Sequence, residues 1–169
     1  MLETAVPTRL YPDVQKNDYV PRMQKDYSSP VRASFHKQKI MRLFNARITR
    51  LEKGLVEISA TNRPEFEQQD GFVHAGAILT LVDSAGGYAT LSLLPAGSRV
   101  LSIEIKLNFL RPAIGSIIRG RARVRKIGRT IGVCEVEAEM KNGRKWVQCA
   151  WGSQTVYCIQ NNAHSTNRE

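Results

Sequence analysis

The sequence is poor in cysteine and has no cysteine arrangement that could hold a metal or a disulfide framework. Its 169 residues include only Cys134, Cys149 and Cys158. None of these forms a CxxC pair, and no histidine stands near them at ligand spacing, so no metal site is predicted. This cysteine usage favours a reducing compartment, and we expect a cytoplasmic protein.

Long hydrophobic runs are also absent. A membrane-spanning helix needs about 20 apolar residues, and no stretch approaches that length. The first residues contain Glu3, Pro7, Pro12 and Asp13 without an apolar run, which argues against a signal peptide or an acid-poor transit peptide. We therefore expect a soluble protein with no membrane partner.

Acidic residues are in the minority: 15 Asp and Glu stand against 25 Lys and Arg, for a net charge of +10. Polyanions, phosphorylated ligands and anionic membranes are all possible partners on charge alone. Hydrophobic residues make up 42% and charged residues 24%, an ordinary globular balance that excludes wholesale disorder. The length predicts a single core.

Four arginines and three glutamates alternate along two consecutive predicted strands. They are Arg119, Arg121, Arg123 and Arg125, then Glu135, Glu137 and Glu139. The arginines alone could indicate a nucleic-acid groove or a seat for coenzyme A phosphates. A tight turn near Gly128 would instead place odd residues opposite odd residues, which predicts cross-strand ion pairs on a solvent or subunit face. Because no row of stacking aromatics accompanies them, we expect no nucleic-acid partner.

The pattern along the chain predicts an α+β fold. Residues 1–30 contain four prolines and are interpreted as an N-terminal extension. A short amphipathic helix is expected from Ser29 and Pro30, with Phe35, Ile40, Leu43 and Phe44 as its apolar residues. A hairpin is predicted over 46–62 and a meander of strands over 102–110, 117–126, 130–140 and 145–157. In the first of these strands, Ile103, Ile105, Leu107 and Phe109 are expected to form a core face opposite Ser102.

Residues 74–94 are apolar on every side, which is unusual for a helix. No polar face separates Leu79 and Val82 from Ile78 and Leu81, so a helix here must be surrounded by other structure. A single helix among runs of strands predicts an antiparallel sheet curled around that helix.

Asp83 is anomalous in the middle of this apolar helix. An unpaired charge in such a place is costly to bury. Either the carboxylate is satisfied by a buried hydrogen bond or a gap between strands, or it performs general-base or nucleophilic work in an apolar cleft.

The start of the same helix offers a second candidate site. His74 and Gly76 stand where backbone N–H groups have no partner within the helix, and such groups can stabilise an oxyanion. Gly76 and Asp83 are seven residues apart and therefore share a face. A plain helix-start role for His74 remains the alternative.

The runs GFVHAGAILTLVDSAGGYA and SIEIKLNFLRPAIGSIIRGRARVRKIGRTIGVCEVEAEM carry a family resemblance. With the H-[GA]-G-x6-[DE] spacing and N-F-L-R-P, the chain resembles hot-dog-fold acyl-CoA thioesterases of the PaaI-like type. The resemblance implies a hot-dog domain over 31–158, an antiparallel sheet wrapped around one long central helix, followed by a tail over 159–169. It further implies hydrolysis of an acyl- or aryl-CoA thioester to the free acid and coenzyme A, without cofactor or metal.

The resemblance also implies roles for individual residues. Asp83 matches the carboxylate that activates water or attacks the thioester carbonyl. Ala75 matches the position whose backbone N–H polarises the thioester oxygen. The backbone of Ala75 and Gly76 is then the expected oxyanion site, and His74 is a positioning residue. Gln68, with Gln69 as a near alternative, matches a residue that orients water or substrate. Ser102 matches a hydroxyl that assists the nucleophilic step, although an ordinary strand-end serine is as good an interpretation.

The resemblance implies a homodimer or homotetramer with sites shared between subunits. A helix apolar on every face independently favours a second copy packed beside it. The alternative to an enzyme is a non-catalytic acyl-CoA-binding protein on the same fold.

Overall fold

The computed structural model describes residues 25–160. Residues 1–24 of the predicted extension and 161–169 of the predicted tail lie outside the described residues. The helices are α1 (Ser28–Lys37), α2 (Lys39–Leu43) and α3 (Ala75–Leu91), and the strands are β1 (Arg47–Glu52), β2 (Leu55–Thr61), β3 (Arg99–Phe109), β4 (Ile117–Ile127), β5 (Ile131–Asn142) and β6 (Lys145–Ile159). The predicted α+β class is confirmed.

The strands form one antiparallel sheet in the order β1-β2-β4-β5-β6-β3. The hairpin β1-β2 and the meander β4-β5-β6 agree with the prediction. The expected place of β3 at the start of that meander is wrong, because β3 pairs with β6 and β4 pairs with β2. Residues 110–116 separate β3 from β4, and this connection contains Pro112. It is too long for a tight hairpin turn, so the chain can pass β6 and β5 and enter the sheet again at β4.

The sheet covers most of α3, as its apolar sequence predicted, but one side of the helix that includes Leu79, 39% exposed, is left uncovered. Leu81, Val82 and Ala85 are fully buried. Strand β4 approaches the helix backbone so closely that a Cβ on Gly120 would lie 2.8 Å from the Leu81 carbonyl carbon. Glycine is therefore required where sheet and helix meet.

The helix expected after Ser29 is in fact two helices. Gln38 has extended backbone angles (φ −75°, ψ 107°) and separates α1 from α2. The predicted apolar face is wrong at two positions, because Ile40 is exposed and Leu43 is 63% exposed, while Met41 is buried. The break turns the second helix relative to the first, so a single helical period no longer identifies the buried side.

Strand β3 contains a bulge that changes which residues face α3. Its register with β6 shifts between Ser102 and Glu104, leaving Ile103 as the extra residue. Ser102 and Ile105 consequently point to the same side, whereas strict alternation put them on opposite faces. The predicted core face is wrong at Ile103 and at Phe109, which are 57% and 50% exposed.

The predicted ladder of ion pairs is present. The guanidinium of Arg119 lies 2.5 Å from the Glu139 carboxylate, and that of Arg121 lies 2.8 Å from Glu137. Arg123 lies opposite Glu135 in the register, but Glu135 accepts from Arg125, which stands at a register shift between Val124 and Lys126. Buried Glu57 of β2, which was not predicted to take part, also accepts from Arg121 at 2.8 Å.

Candidate active site

Asp83 lies in the middle of α3, half-buried, facing strands β3 and β6. Its Oδ1 atom accepts hydrogen bonds from Ser102 Oγ at 2.5 Å and from Gln154 Nε2 at 2.9 Å. Its Oδ2 atom has no hydrogen-bond partner among residues 25–160. One carboxylate oxygen is thus fixed by the protein, while the other is open to a cleft of about 470 Å³, which we call the Asp83 cleft.

The far part of the Asp83 cleft is polar. Gln38, at the break between α1 and α2, accepts hydrogen bonds from Ser84 Oγ at 3.3 Å and Tyr88 Oη at 3.4 Å. Burial raises the pKa of the Tyr88 phenol, so Tyr88 stays protonated and acts as the donor. Lys37 and Arg99 also line the cleft and make it positively charged.

His74 caps the start of α3. Its Nδ1 accepts a hydrogen bond from the Gly76 N–H at 2.9 Å, so the ring proton of the neutral imidazole lies on Nε2. Of the two N–H groups predicted to receive an oxyanion, that of Gly76 is already engaged. The Ala75 N–H has no partner within the described part of the chain, and Ala75 is exposed.

Gln68 belongs to a turn just before α3. Its Oε1 accepts from the Asp70 N–H at 2.6 Å, which leaves its Nε2 free to donate. It lines a second cleft of about 600 Å³ together with His74, Ala75 and Arg111, which we call the helix-start cleft. The alternative residue, Gln69, lines the same cleft but is exposed.

The structure thus brings the predicted residues together in two groups. Asp83 and Ser102 share one cleft, and Gln68, His74 and Ala75 share the other. Ala75 and Asp83 are eight residues apart on α3, or about 12 Å along the axis at 1.5 Å per residue. A single thioester carbonyl cannot contact both groups within one chain.

Gln154 was missed by the sequence reasoning. It is 1% exposed and donates to both Asp83 and Ser102. It lies in the inward row of β6, between buried Gly152 and Val156, and this orientation is visible only in the structure. A lone amide in such a row needs a polar partner.

Among residues 25–160 no three His, Cys, Asp or Glu side chains are grouped so that they could hold a metal ion. Within the same residues, no helix is long and apolar enough to cross a membrane.

Residues 70–147 match the model of the Thioesterase superfamily. The crystal structure of a thioesterase family protein from Silicibacter pomeroyi is 38% identical, with a TM-score of 0.78, over 80% of this chain and 100% of that one. The chain belongs to the thioesterase superfamily. This confirms the predicted family and with it the prediction of a thioester hydrolase.

Two further relatives extend the comparison. The thioesterase is 29% identical to the proofreading thioesterase EntH of Klebsiella pneumoniae over 108 residues, covering 64% of this chain and 79% of that protein. It also matches the structure of the Escherichia coli PaaI protein from the phenylacetic acid degradation operon. That match has a TM-score of 0.67 and 19% identity, over 77% of this chain and 91% of that one. At this identity PaaI shows the fold alone, and it confirms the predicted hot-dog architecture.

Proposed function

We propose that this thioesterase hydrolyses acyl- or aryl-coenzyme A thioesters, with Asp83 as its general base or nucleophile. The observation that carries the proposal is the state of the Asp83 carboxylate. Ser102 and Gln154 hold Oδ1, while Oδ2 is open to a cleft. A carboxylate held in this way keeps its other oxygen in a fixed position relative to a bound substrate.

Two routes use the same carboxylate. As a base, Asp83 takes a proton from water while the water oxygen attacks the thioester carbonyl carbon. As a nucleophile, its Oδ2 attacks that carbon, and water then hydrolyses the resulting anhydride. In both routes the carbonyl oxygen becomes an oxyanion, the carbon–sulfur bond breaks, and the thiolate leaves and is protonated.

The Ala75 N–H supplies the donor for that oxyanion. It is unpaired and stands at the positive end of the α3 dipole, where negative charge is stabilised. Gln68 Nε2 lines the same cleft and can orient water or substrate. Because His74 engages the Gly76 N–H, we assign His74 to shaping the helix start.

The positive charge of the helix-start cleft supports coenzyme A as the thiol part of the substrate. Arg111 lines this cleft beside Ala75 and has no ion-pair partner among residues 25–160. A guanidinium recognises phosphate oxygens well, and coenzyme A carries several phosphate groups.

A site shared by two subunits would unite the two clefts. Strand β3 is an edge strand of 11 residues, and Leu101 and Ile103 on it are 59% and 57% exposed. An exposed apolar edge of this length invites pairing with another strand. In a two-fold dimer formed along β3, the helix start of one subunit would serve Asp83 of the other. Assembly into a tetramer is compatible with this arrangement.

The test is release of free thiol from a panel of short, medium, long and aryl acyl-CoAs, compared with N-acetylcysteamine thioesters of the same acids. The latter keep the thioester but lack the phosphates. We expect Arg111→Ala to raise KM for the acyl-CoA about tenfold and to leave the phosphate-free thioester unchanged.

Arg144→Ala is the matched control, because Arg144 is an exposed arginine that lines neither cleft. No thiol release from any member of the panel, with coenzyme A binding intact, would favour the non-catalytic alternative. An equal effect of Arg111→Ala on both thioester classes would contradict the phosphate contact.

A further inference from the structure

We propose that Gln154 is a positioning residue for Asp83 and that Gly86 is a glycine in order to make room for it. This inference rests on the proposed role of Asp83 in thioester hydrolysis and adds two residues to it. Gln154 belongs to β6, is buried, and is not among the residues that line the Asp83 cleft.

The amide of Gln154 contacts three acceptor atoms. Its Nε2 lies 2.9 Å from Asp83 Oδ1, 2.9 Å from Ser102 Oγ and 3.2 Å from the Asp83 carbonyl oxygen. Ser102 donates its own proton to Asp83 Oδ1. Gln154 therefore acts on the same carboxylate oxygen twice, directly and by orienting the Ser102 hydroxyl.

The orientation of the amide follows from these partners. If the amide were turned over, its oxygen would face Asp83 Oδ1 and the Asp83 carbonyl oxygen, both of which are acceptors. In the observed orientation Oε1 is buried without a hydrogen-bond partner within the described residues. An apolar side chain would avoid that cost, so stability alone does not account for a glutamine at this position.

Gly86 provides the space for Oε1. A Cβ added at residue 86 would lie 1.6 Å from Gln154 Oε1 and 2.7 Å from its Cδ. No side chain larger than hydrogen can stand there while Gln154 keeps its place. The next residue, Gly87, has only Val100 Cγ2 within reach, at 3.7 Å. The space around Gly87 therefore does not require a glycine, whereas Gln154 requires one at position 86.

A hydrogen bond from Gln154 to the Asp83 carbonyl oxygen alone would only join β6 to α3 and would have a structural role. The bond to Oδ1 goes further, because a donor on that oxygen favours the ionised form of the carboxylate that acts on substrate. Removing the donor should therefore change the pH dependence of the reaction as well as its rate.

The experiment measures kcat, KM and the pH–rate profile for Gln154→Ala, Gln154→Glu, Gly86→Ala and the double variant Gly86→Ala/Gln154→Ala. For Gln154→Ala we expect kcat to fall about 10- to 100-fold with KM within twofold, as for loss of a hydrogen bond to a charged group. The acidic limb should move to higher pH. Gln154→Glu should move it further, because two carboxylates that close together resist being ionised at once.

The double variant separates positioning from packing. Gly86→Ala displaces the amide and should lower kcat in the native background, but it should lower kcat no further once Gln154 is alanine. In the double variant the new Cβ at position 86 enters space that the amide has vacated, so the clash with Gln154 is removed. Gln148→Ala is the control, since Gln148 is a β6 glutamine that donates to Glu137 Oε2 at 2.9 Å, and its kcat and pH profile should match the wild type.

Each outcome decides the matter. If Asp83→Asn abolishes hydrolysis while Gln154→Ala and Gln154→Glu keep the wild-type kcat and acidic limb, the inference is wrong and the proposed function stands. Lowered melting temperatures with an unchanged pH profile in every folded variant would mean a purely structural Gln154 and also overturn it. If the wild-type protein hydrolyses no thioester, the proposed function fails first and the inference with it.

Discussion

Within the described residues, the Asp83 carboxylate is hydrogen-bonded through only one of its two oxygens, and this defines the sharpest test at the scale of a single residue. In Asp83→Asn, the amide oxygen can still accept from Ser102 and Gln154. The fold should therefore be retained, with the free energy of unfolding changed by about 1 kcal/mol or less. Because an amide is neither base nor nucleophile, turnover should fall at least about 100-fold. Thiol release and thermal unfolding of the same preparation measure both effects, and near wild-type turnover would remove Asp83 from the mechanism.

The three cysteines lead to a second prediction at this scale. Burial raises the pKa of the Cys149 and Cys158 thiols to about 11 and also raises that of Cys134. Thiolate is the reactive form, so the native protein should be labelled very slowly by a thiol reagent at pH 8 and rapidly once unfolded. A free-thiol assay of hydrolysis will then report coenzyme A rather than the protein.

The same shifts fix the sign of a stability change. A thiol ionises more easily in the unfolded chain, near pH 9, than in the native protein, near pH 11 for Cys149 and Cys158. The stabilisation that this provides is complete below pH 9 and is lost as the pH rises from 9 to 11. Denaturant titrations across that range should show a falling free energy of unfolding. A smaller fall in Cys149→Ala would assign part of it to that thiol.

The sequence pointed to those candidate site residues whose surroundings are unusual in the linear pattern. Asp83 interrupts an apolar helix, and His74 stands at its start, so both are visible without a structure. Gln154 is not, because a glutamine in an alternating strand is usually taken for a surface residue. Its burial depends on which face of β6 meets α3, and that is decided by the packing of the whole sheet.

At the scale of the element, α3 has low intrinsic helix stability because it contains several glycines, and it is extensively buried. Gly87 lies in its interior with room for a Cβ, so Gly87→Ala should raise the free energy of unfolding by about 0.5–1 kcal/mol. Gly120→Ala is the contrast, because its Cβ would meet the α3 backbone at 2.8 Å, and it should cost about 1–3 kcal/mol. Urea unfolding of the two variants measures both. Equal effects would contradict the close approach of β4 to the helix.

The elements that depend on neighbouring residues in the sequence were predicted well. The failures concern strand pairing and register, which depend on contacts between distant parts of the chain. The helix, the hairpins and the ion-pair ladder follow from periodicity and tight turns. The pairing of β3 with β6 does not, because the connection over residues 110–116 leaves the partner open. The bulge at Ile103 is equally invisible, since the alternation of the sequence continues through it. That bulge nevertheless turns both Ser102 and Ile105 toward α3.

At the scale of the whole molecule, the distribution of positive charge favours a phosphate-bearing substrate, whereas the separation of the two clefts prevents one chain from forming a complete site. The row of arginines on β4 is largely neutralised by glutamates of β2 and β5. Arg111, Lys37 and Arg99 have no ion-pair partner within residues 25–160 and line the two clefts. Positive charge is thus available where a phosphate-bearing substrate would enter. Within each chain, however, the two groups of candidate site residues are about 12 Å apart along α3.

The proposed shared site predicts that two inactive chains can restore one another. In a mixed dimer of an Asp83→Asn chain and a Gln68→Ala chain, one site carries both substitutions and the other carries neither. With random pairing about half the dimers are mixed and half of their sites are intact, so activity should recover to roughly a quarter of the wild-type value. Each parent alone should be much weaker.

The measurement is thiol release after co-expression, with differently tagged chains purified in sequence so that mixed dimers are counted directly. If mixed dimers form and are no more active than the average of their parents, the site lies within one chain. The helix start would then have to reach Asp83 by a rearrangement of α3 rather than from a partner.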